Sequence, residues 1–210
     1  MGTIAAIFDV DMTLVQGSTE RLFFQYLLRH NMLKATQAMA YLARLASNPE
    51  DRFRDKSYLR GLPVKETEAL ARQCYAEMIA PRLIPQALAC LREHKAKGHR
   101  IVLLTGSLSF LIRPLKEMVG ADWLIATEPA HSNGCFTGEI AGLHPRGKNK
   151  ELLLYDLSRR QGLDLSQSYA YADHFEDRSL FGQVGYPVVV NPSWRLKRLA
   201  RKHRWPIRYF

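Results

Sequence analysis

The chain has 210 residues, 47% of them hydrophobic and 24% charged, with a formal net charge of +10. This suits one α/β domain with a smaller inserted unit and excludes a disordered chain. Charges interrupt every apolar run short of a bilayer span, no signal peptide is read at the N-terminus, and Cys74, Cys90 and Cys135 lack pairing or metal-ligand spacing, so the expectation is a cytoplasmic protein with no transmembrane segment and no zinc or disulfide framework.

Residues 4–10 are short, apolar and partly β-branched, which predicts a buried strand. Residues 19–46 predict one long helix with Leu22, Tyr26, Leu27, Leu33, Met39 and Leu42 among its apolar positions. "SNPED" at 47–51 breaks that pattern, and helices are expected at 52–60 and 64–79 around "GLP". A helix over 84–97 closes at Gly98. "HRIVLLTGS" is a second strand, followed by a helix that Pro114 interrupts. "DWLIATEPAHSNGCFTGEIAG" holds a short strand and then two strands about the "SNG" turn. "NKELLLYDLSRRQGL" is a helix, "SYAYAD" and "PVVVNP" are strands, and the tail is an amphipathic basic helix. Strands alternating with helices imply a Rossmann-like parallel sheet with helices on both faces. The helical block at 17–80 interrupts the alternation after the first strand and reads as a cap on a core formed by 1–16 and 81–210.

Three strands end in polar groups: Asp9/Asp11, Thr105/Ser107 and Asp173/Asp177. In a parallel sheet these ends share one edge, where ligands bind. Residues two apart at a strand end point the same way, so Asp9 and Asp11 face one site. Four carboxylates converging there demand a cation. All-oxygen ligands favour Mg²⁺, which is usually bound by few carboxylates together with substrate phosphate. Thr105, Gly106 and Ser107 offer a phosphate cradle of hydroxyl and backbone N–H groups, and Lys150 an ammonium beside it.

"FDVDMTL", "LLTGS", "NKELLL" and "YADHFEDRSLF", in that order, resemble the four motifs of the haloacid dehalogenase superfamily, in its phosphoserine-phosphatase-like branch. The 23 residues from Lys150 to Asp173 match that branch, as does the "NGCFTGEIAG" hairpin. The resemblance implies a Mg²⁺-dependent phosphatase acting on a small phosphomonoester through an aspartyl-phosphate. Asp9 would be the nucleophile and Asp11 the general acid and then base. Ser107 would bind the phosphoryl group, and Lys150 would neutralise charge beside Asp9; Lys148 is the competing lysine, with the poorer spacing. Asp9, Asp173 and the backbone carbonyl of Asp11 would hold the metal, with Asp177 ligating it directly or one layer further out. Dehalogenase members lack the second aspartate, because a halide leaves without a proton.

The chain departs from the pattern at Met12, where many relatives have glycine, at His174 and at Glu176. Ser18 stands near the position of the glutamate that phosphoserine enzymes use for substrate, with Glu20 two residues on. Arg52, Arg54, Lys56 and Arg60 read either as a solvated helix face or as charge for an anionic substrate. Phosphoserine specificity therefore does not carry over, and a small phosphorylated metabolite is the expected partner. The basic segment 194–208, with Trp194 and Trp205 interleaved, raises a second reading: weak contact with acidic lipid or nucleic acid bearing the phosphate. A catalytically silent binding module is a third, opposed by the full set of motif residues.

Overall fold

The computed structural model describes residues 2–47 and 54–210. Seven strands form one sheet in the order β4-β3-β2-β1-β5-β6-β7. They are β1 (Ala5–Phe8), β2 (Arg100–Leu108), β3 (Trp123–Ser132), β4 (Cys135–Ala141), β5 (Tyr169–Ala172), β6 (Tyr186–Val190) and β7 (Ile207–Arg208). All neighbours are parallel except β3 and β4. The helices are α1 (Thr19–Arg29), α2 (Ala35–Ser47), α3 (Val64–Cys74), α4 (Pro85–Ala96), α5 (Ser109–Val119), α6 (Lys148–Gln161), α7 (Arg178–Phe181) and α8 (Trp194–His203).

β1 is central and every one of its residues is buried, which is why it reads as an unbroken apolar run rather than an alternation. Its side chains still divide by period two. Ala6 and Phe8 pack with Ile101 and Leu103 against Leu91 of α4, Leu111 and Leu115 of α5 and the helices between β1 and β2. Ala5 and Ile7 pack with Val102 and Leu104 against Leu154 of α6, Leu180 of α7 and Leu196 of α8. Helices thus cover both faces. The strand order departs from β1 in opposite directions towards β2 and β5, so the gap beyond their carboxyl ends is a topological switch point.

The details correct the sequence reading in four places. The expected helix at 19–46 is two helices, parted at His30–Lys34 where Asn31 takes φ 56°. Asparagine tolerates that left-handed geometry and stops the first helix. α2 turns Tyr41 and Ala38 inward and leaves Met39 and Leu42 exposed. Of the helix expected at 52–60, Ser57–Leu59 forms a single 3-10 turn; Arg52 and the break expected after Ser47 lie outside the described residues. Pro114 does not interrupt α5, because Phe110, Leu111, Ile112 and Leu115 bury the helix around it. The short strand and the first hairpin strand are one ten-residue strand, β3, whose first half pairs with β2 and whose second half pairs with β4 across the Asn133–Gly134 turn. β7, only two residues long, gave no signal of its own.

One position fixes how β5 and β6 meet. A Cβ on Gly185 would stand 1.8 Å from the Ser166 carbonyl oxygen. Gly185→Ala is expected to destabilise the fold by about 1–3 kcal/mol or more, since backbone must move. Gly182→Ala, whose nearest contact is 3.4 Å, is the control in a denaturant melt. Equal midpoints for the two variants would refute this.

Candidate active site

The switch point opens into a cavity of about 240 Å³. Asp9, Asp11, Thr105, Gly106, Ser107, Lys150, Asp173 and Asp177 all line it, so every residue expected at the sheet edge reaches one place. Asp9 follows β1, Asp173 follows β5, and Thr105–Ser107 lie at the carboxyl end of β2.

Lys150 comes from the first turn of α6, is buried, and donates to Asp9 Oδ1 at 2.8 Å. It also pairs with Asp177, at 3.1 Å to Oδ1 and 3.2 Å to Oδ2. Burial works against its charge, but Asp177 and Asp9 outweigh burial and hold its pKa above the ordinary lysine value. Lys148 is exposed on the other side of the same turn.

Asp11 is held differently. Ser107 O–H donates to Asp11 Oδ2 at 2.8 Å, and Thr19 N–H donates to Oδ1 at 3.1 Å. Thr19 Oγ1 lies 2.8 Å from both Asp11 Oδ1 and Ser107 Oγ. The two hydroxyls carry one proton each, and the three short oxygen contacts need three. A proton on Asp11 closes the ring. Burial raises the Asp11 pKa, against the hydrogen bonds from Thr19 and Ser107. Thr105 Oγ1 accepts from Ser107 N–H at 3.1 Å, and this leaves the Thr105 hydroxyl proton for a ligand.

The charges do not balance. Asp9, Asp173 and Asp177 face one lysine. Burial, then Asp177 and Asp11, raise Asp9 to about 7 despite Lys150. Burial, then Asp9 and Asp177, raise Asp173 to about 8. Among the described residues no group of three His, Cys, Asp or Glu side chains is disposed to hold a metal ion, and the Lys150 ammonium lies between Asp9 and Asp177. Mg²⁺ does not need three side chains: one or two carboxylates with substrate oxygens and water suffice. The deficit of positive charge and the all-oxygen donor set fit a hard dication.

The rim explains the departures from pattern. Met12 adopts φ 60°, a conformation that glycine takes without penalty. His174 caps the turn after β5, its Nδ1 accepting from Glu176 N–H. Glu176 pairs with Arg146, which holds its pKa down against burial. Ser18 caps α1, accepting from Arg21 N–H. Glu20 accepts from buried Lys56 at 2.7 and 2.8 Å and from Tyr58 at 3.0 Å. Arg60 donates to the Thr137 carbonyl, away from the cavity.

A family model for haloacid dehalogenase-like hydrolases matches residues 6–181. The chain belongs to this family. It is 32% identical to phosphoserine phosphatase SerB1 of Mycobacterium tuberculosis, over 99% of this chain and 71% of that protein. It is 27% identical to a histidinol-phosphatase of Neisseria meningitidis, over 98% of each. A Bordetella pertussis protein of unknown function superposes with a TM-score of 0.86 at 25% identity, over 99% of this chain and 98% of that one. Within the haloacid dehalogenase-like hydrolases this chain falls in the phosphoserine-phosphatase-like branch, and it is a phosphoric monoester hydrolase.

Sequence reasoning passed over Thr19, His144 and Arg146. Thr19 is the first residue of α1, and nothing in its sequence neighbourhood marks it as a partner of Asp11. His144 and Arg146 sit within "LHPRGKNK", where the lysines carry the stronger signal. The segment 194–208 does not reach the cavity. Trp205 packs on Phe181, with ring centroids 5.1 Å apart, while Trp194 is exposed, so the two tryptophans do not form one face. Among the described residues no helix is long and apolar enough to cross a membrane.

Proposed function

We propose that the chain hydrolyses the phosphomonoester of a small metabolite, with Mg²⁺, through a phosphoryl group carried on Asp9. The observation that supports this best is the pairing of two differently held carboxylates. Asp9 lies against an ammonium, and Asp11 sits in a ring that accommodates its proton. Two carboxyl groups set apart in this way suit a nucleophile and an acid. A cavity of about 240 Å³ suits a phosphoryl group with a few carbons, not a polymer.

In the first step an Asp9 carboxylate oxygen attacks phosphorus and the ester P–O bond breaks. Asp11 gives its proton to the departing alkoxide. In the second step Asp11 takes a proton from water, the water oxygen attacks phosphorus, and the bond to Asp9 breaks. Orthophosphate leaves, and Asp9 and Asp11 return to their starting states. Lys150 stays protonated throughout and lowers the cost of an anion approaching an anion. The hydroxyls of Thr105 and Ser107 and the backbone at Gly106 hold the phosphoryl oxygens. Thr105 has the freer proton, because Ser107 is engaged with Asp11. Asp9, Asp173 and the Asp11 carbonyl would hold Mg²⁺, while Asp177 is committed to Lys150. When bound, the ion would screen the phosphoryl oxygens and favour the ionised form of Asp9. Residues 17–80 act as the cap, delivering Thr19 to Asp11 and Glu20 to the cavity.

Chelation is expected to stop phosphate release from small phosphate esters, and Mg²⁺ to restore it. Activity undiminished by chelator refutes the role of the metal. A second readout needs no turnover. Asp9 and Asp173 bind protons more tightly in the folded chain than in the unfolded one between about pH 4 and 8, so metal-free stability falls as pH rises through that window. Mg²⁺ favours the ionised carboxylates and should therefore raise the melting temperature more at pH 8 than at pH 5.5. A shift that is equal at both pH values counts against these ligands.

A further inference from the structure

His144 takes no part in the steps above. It lies in the loop before α6, is 6% exposed, and lines the cavity beside Gly106, Pro145 and Arg146. Its Nδ1 is 2.7 Å from Thr127 Oγ1, and Thr127 Oγ1 is 2.6 Å from the Gly106 carbonyl oxygen. Counting protons fixes the tautomer. A carbonyl only accepts, so the single Thr127 hydroxyl proton goes to Gly106. Nδ1–H must then donate to Thr127, and Nε2 is left with a lone pair. That nitrogen is buried and has no hydrogen-bond partner among the described residues.

The ring is pressed against the phosphate loop. A Cβ on Gly106 would stand 3.3 Å from His144 Cε1 and 3.7 Å from Nε2. The edge that carries the lone pair therefore lies along the backbone proposed to hold the phosphoryl group. The ring's electrostatic surroundings keep it neutral. Burial first, then the charges of Lys56, Arg146, Arg54 and Lys150, lower its pKa to about 4. Lys56 and Arg54 come from the block between β1 and β2, Arg146 from its own loop and Lys150 from α6.

A buried acceptor without a donor is costly to fold around, and a ligand that brings the donor removes that cost. Lys56 and Arg146 are already paired with Glu20 and Glu176, so the unmet need at Nε2 is a donor rather than a charge, and a neutral O–H is the matching group. We propose that His144 is a specificity residue whose Nε2 accepts a hydrogen bond from a hydroxyl on the alcohol portion of the substrate. This rests on the phosphatase reading and narrows it to hydroxylated esters, of the polyol or sugar phosphate class.

Glycerol 3-phosphate and propyl phosphate differ by hydroxyls alone, and phosphoethanolamine supplies the ammonium. The wild-type kcat/KM is expected to favour glycerol 3-phosphate over propyl phosphate by about tenfold or more. His144→Leu should bring that ratio near one, and His144→Gln, whose amide oxygen still accepts, should keep part of it. A folded His144→Leu variant with the ratio unchanged overturns the assignment, as does a wild-type preference for phosphoethanolamine. Calorimetric binding of the two esters to Asp9→Asn protein separates this inference from the phosphatase reading. A binding preference for glycerol 3-phosphate without any wild-type turnover sinks the phosphatase reading alone. Equal affinities, or no binding of either ester, sink the role of His144.

Discussion

Asp9→Asn is expected to abolish phosphate release, with kcat falling by a factor on the order of 10⁴ or more. The size of the effect follows from what the amide cannot do. A neutral amide oxygen is a poor nucleophile towards phosphorus, and no other carboxylate stands in for it: Asp11 is tied to Thr19 and Ser107, and Asp177 to Lys150. The fold should survive, because asparagine fills the same volume and its amide oxygen still accepts from Lys150. Calorimetric binding of orthophosphate to the variant supplies the control for folding. Acid-quenched wild type incubated with labelled ester should carry label on the protein, removable by hydroxylamine, and the Asp9→Asn protein should carry none. Turnover by the variant within tenfold of wild type would falsify the nucleophile assignment.

The sheet was legible because its strands carry the strongest local signals. β1, β2, β5 and β6 are apolar, short and bounded by turn chemistry, and in a parallel sheet buried on both faces the sequence repeats that burial directly. The polar residues at their ends were then placed by topology alone. Asp9 and Asp173 are far apart in the chain and adjacent in space because β1 pairs with β5.

Between β1 and β2 the same reasoning lost resolution. A pattern of apolar residues at helical spacing does not say where one helix stops, and Asn31 was a weaker stop than glycine or proline. Pro114 erred in the other direction, since burial by the surrounding apolar residues overrode a local breaker. Contacts that depend on the folded arrangement left no trace in the chain order. Thr19 meets Ser107 across 88 positions, and His144 meets Thr127 across 17, and neither pair has a spacing rule. The positive charges at 54–60 likewise divided only in three dimensions: Lys56 went inward to Glu20, and Arg60 outward to the β4 backbone.

Asp11→Asn tests the other half of the mechanism, and its signature should differ from that of Asp9→Asn. The introduced amide has the shape of a protonated aspartate. Its oxygen can accept from Thr19, and its nitrogen can donate to Ser107 Oγ and supply the third proton of the ring, so the melting temperature should change little. Activity should not survive so well. General acid–base catalysis contributes about 10²–10⁴-fold, and an alkyl phosphate should lose that much. A p-nitrophenyl ester leaves without a proton, so its first step should be nearly spared. The second step still lacks a base to activate water, and the phosphoryl form of Asp9 should accumulate. Rapid mixing would then show a burst of nitrophenolate near one equivalent per chain, followed by a slow steady rate. If the alkyl and nitrophenyl esters lose the same factor and no burst appears, Asp11 is not moving the proton, and the ring with Thr19 and Ser107 serves only to hold α1 in place.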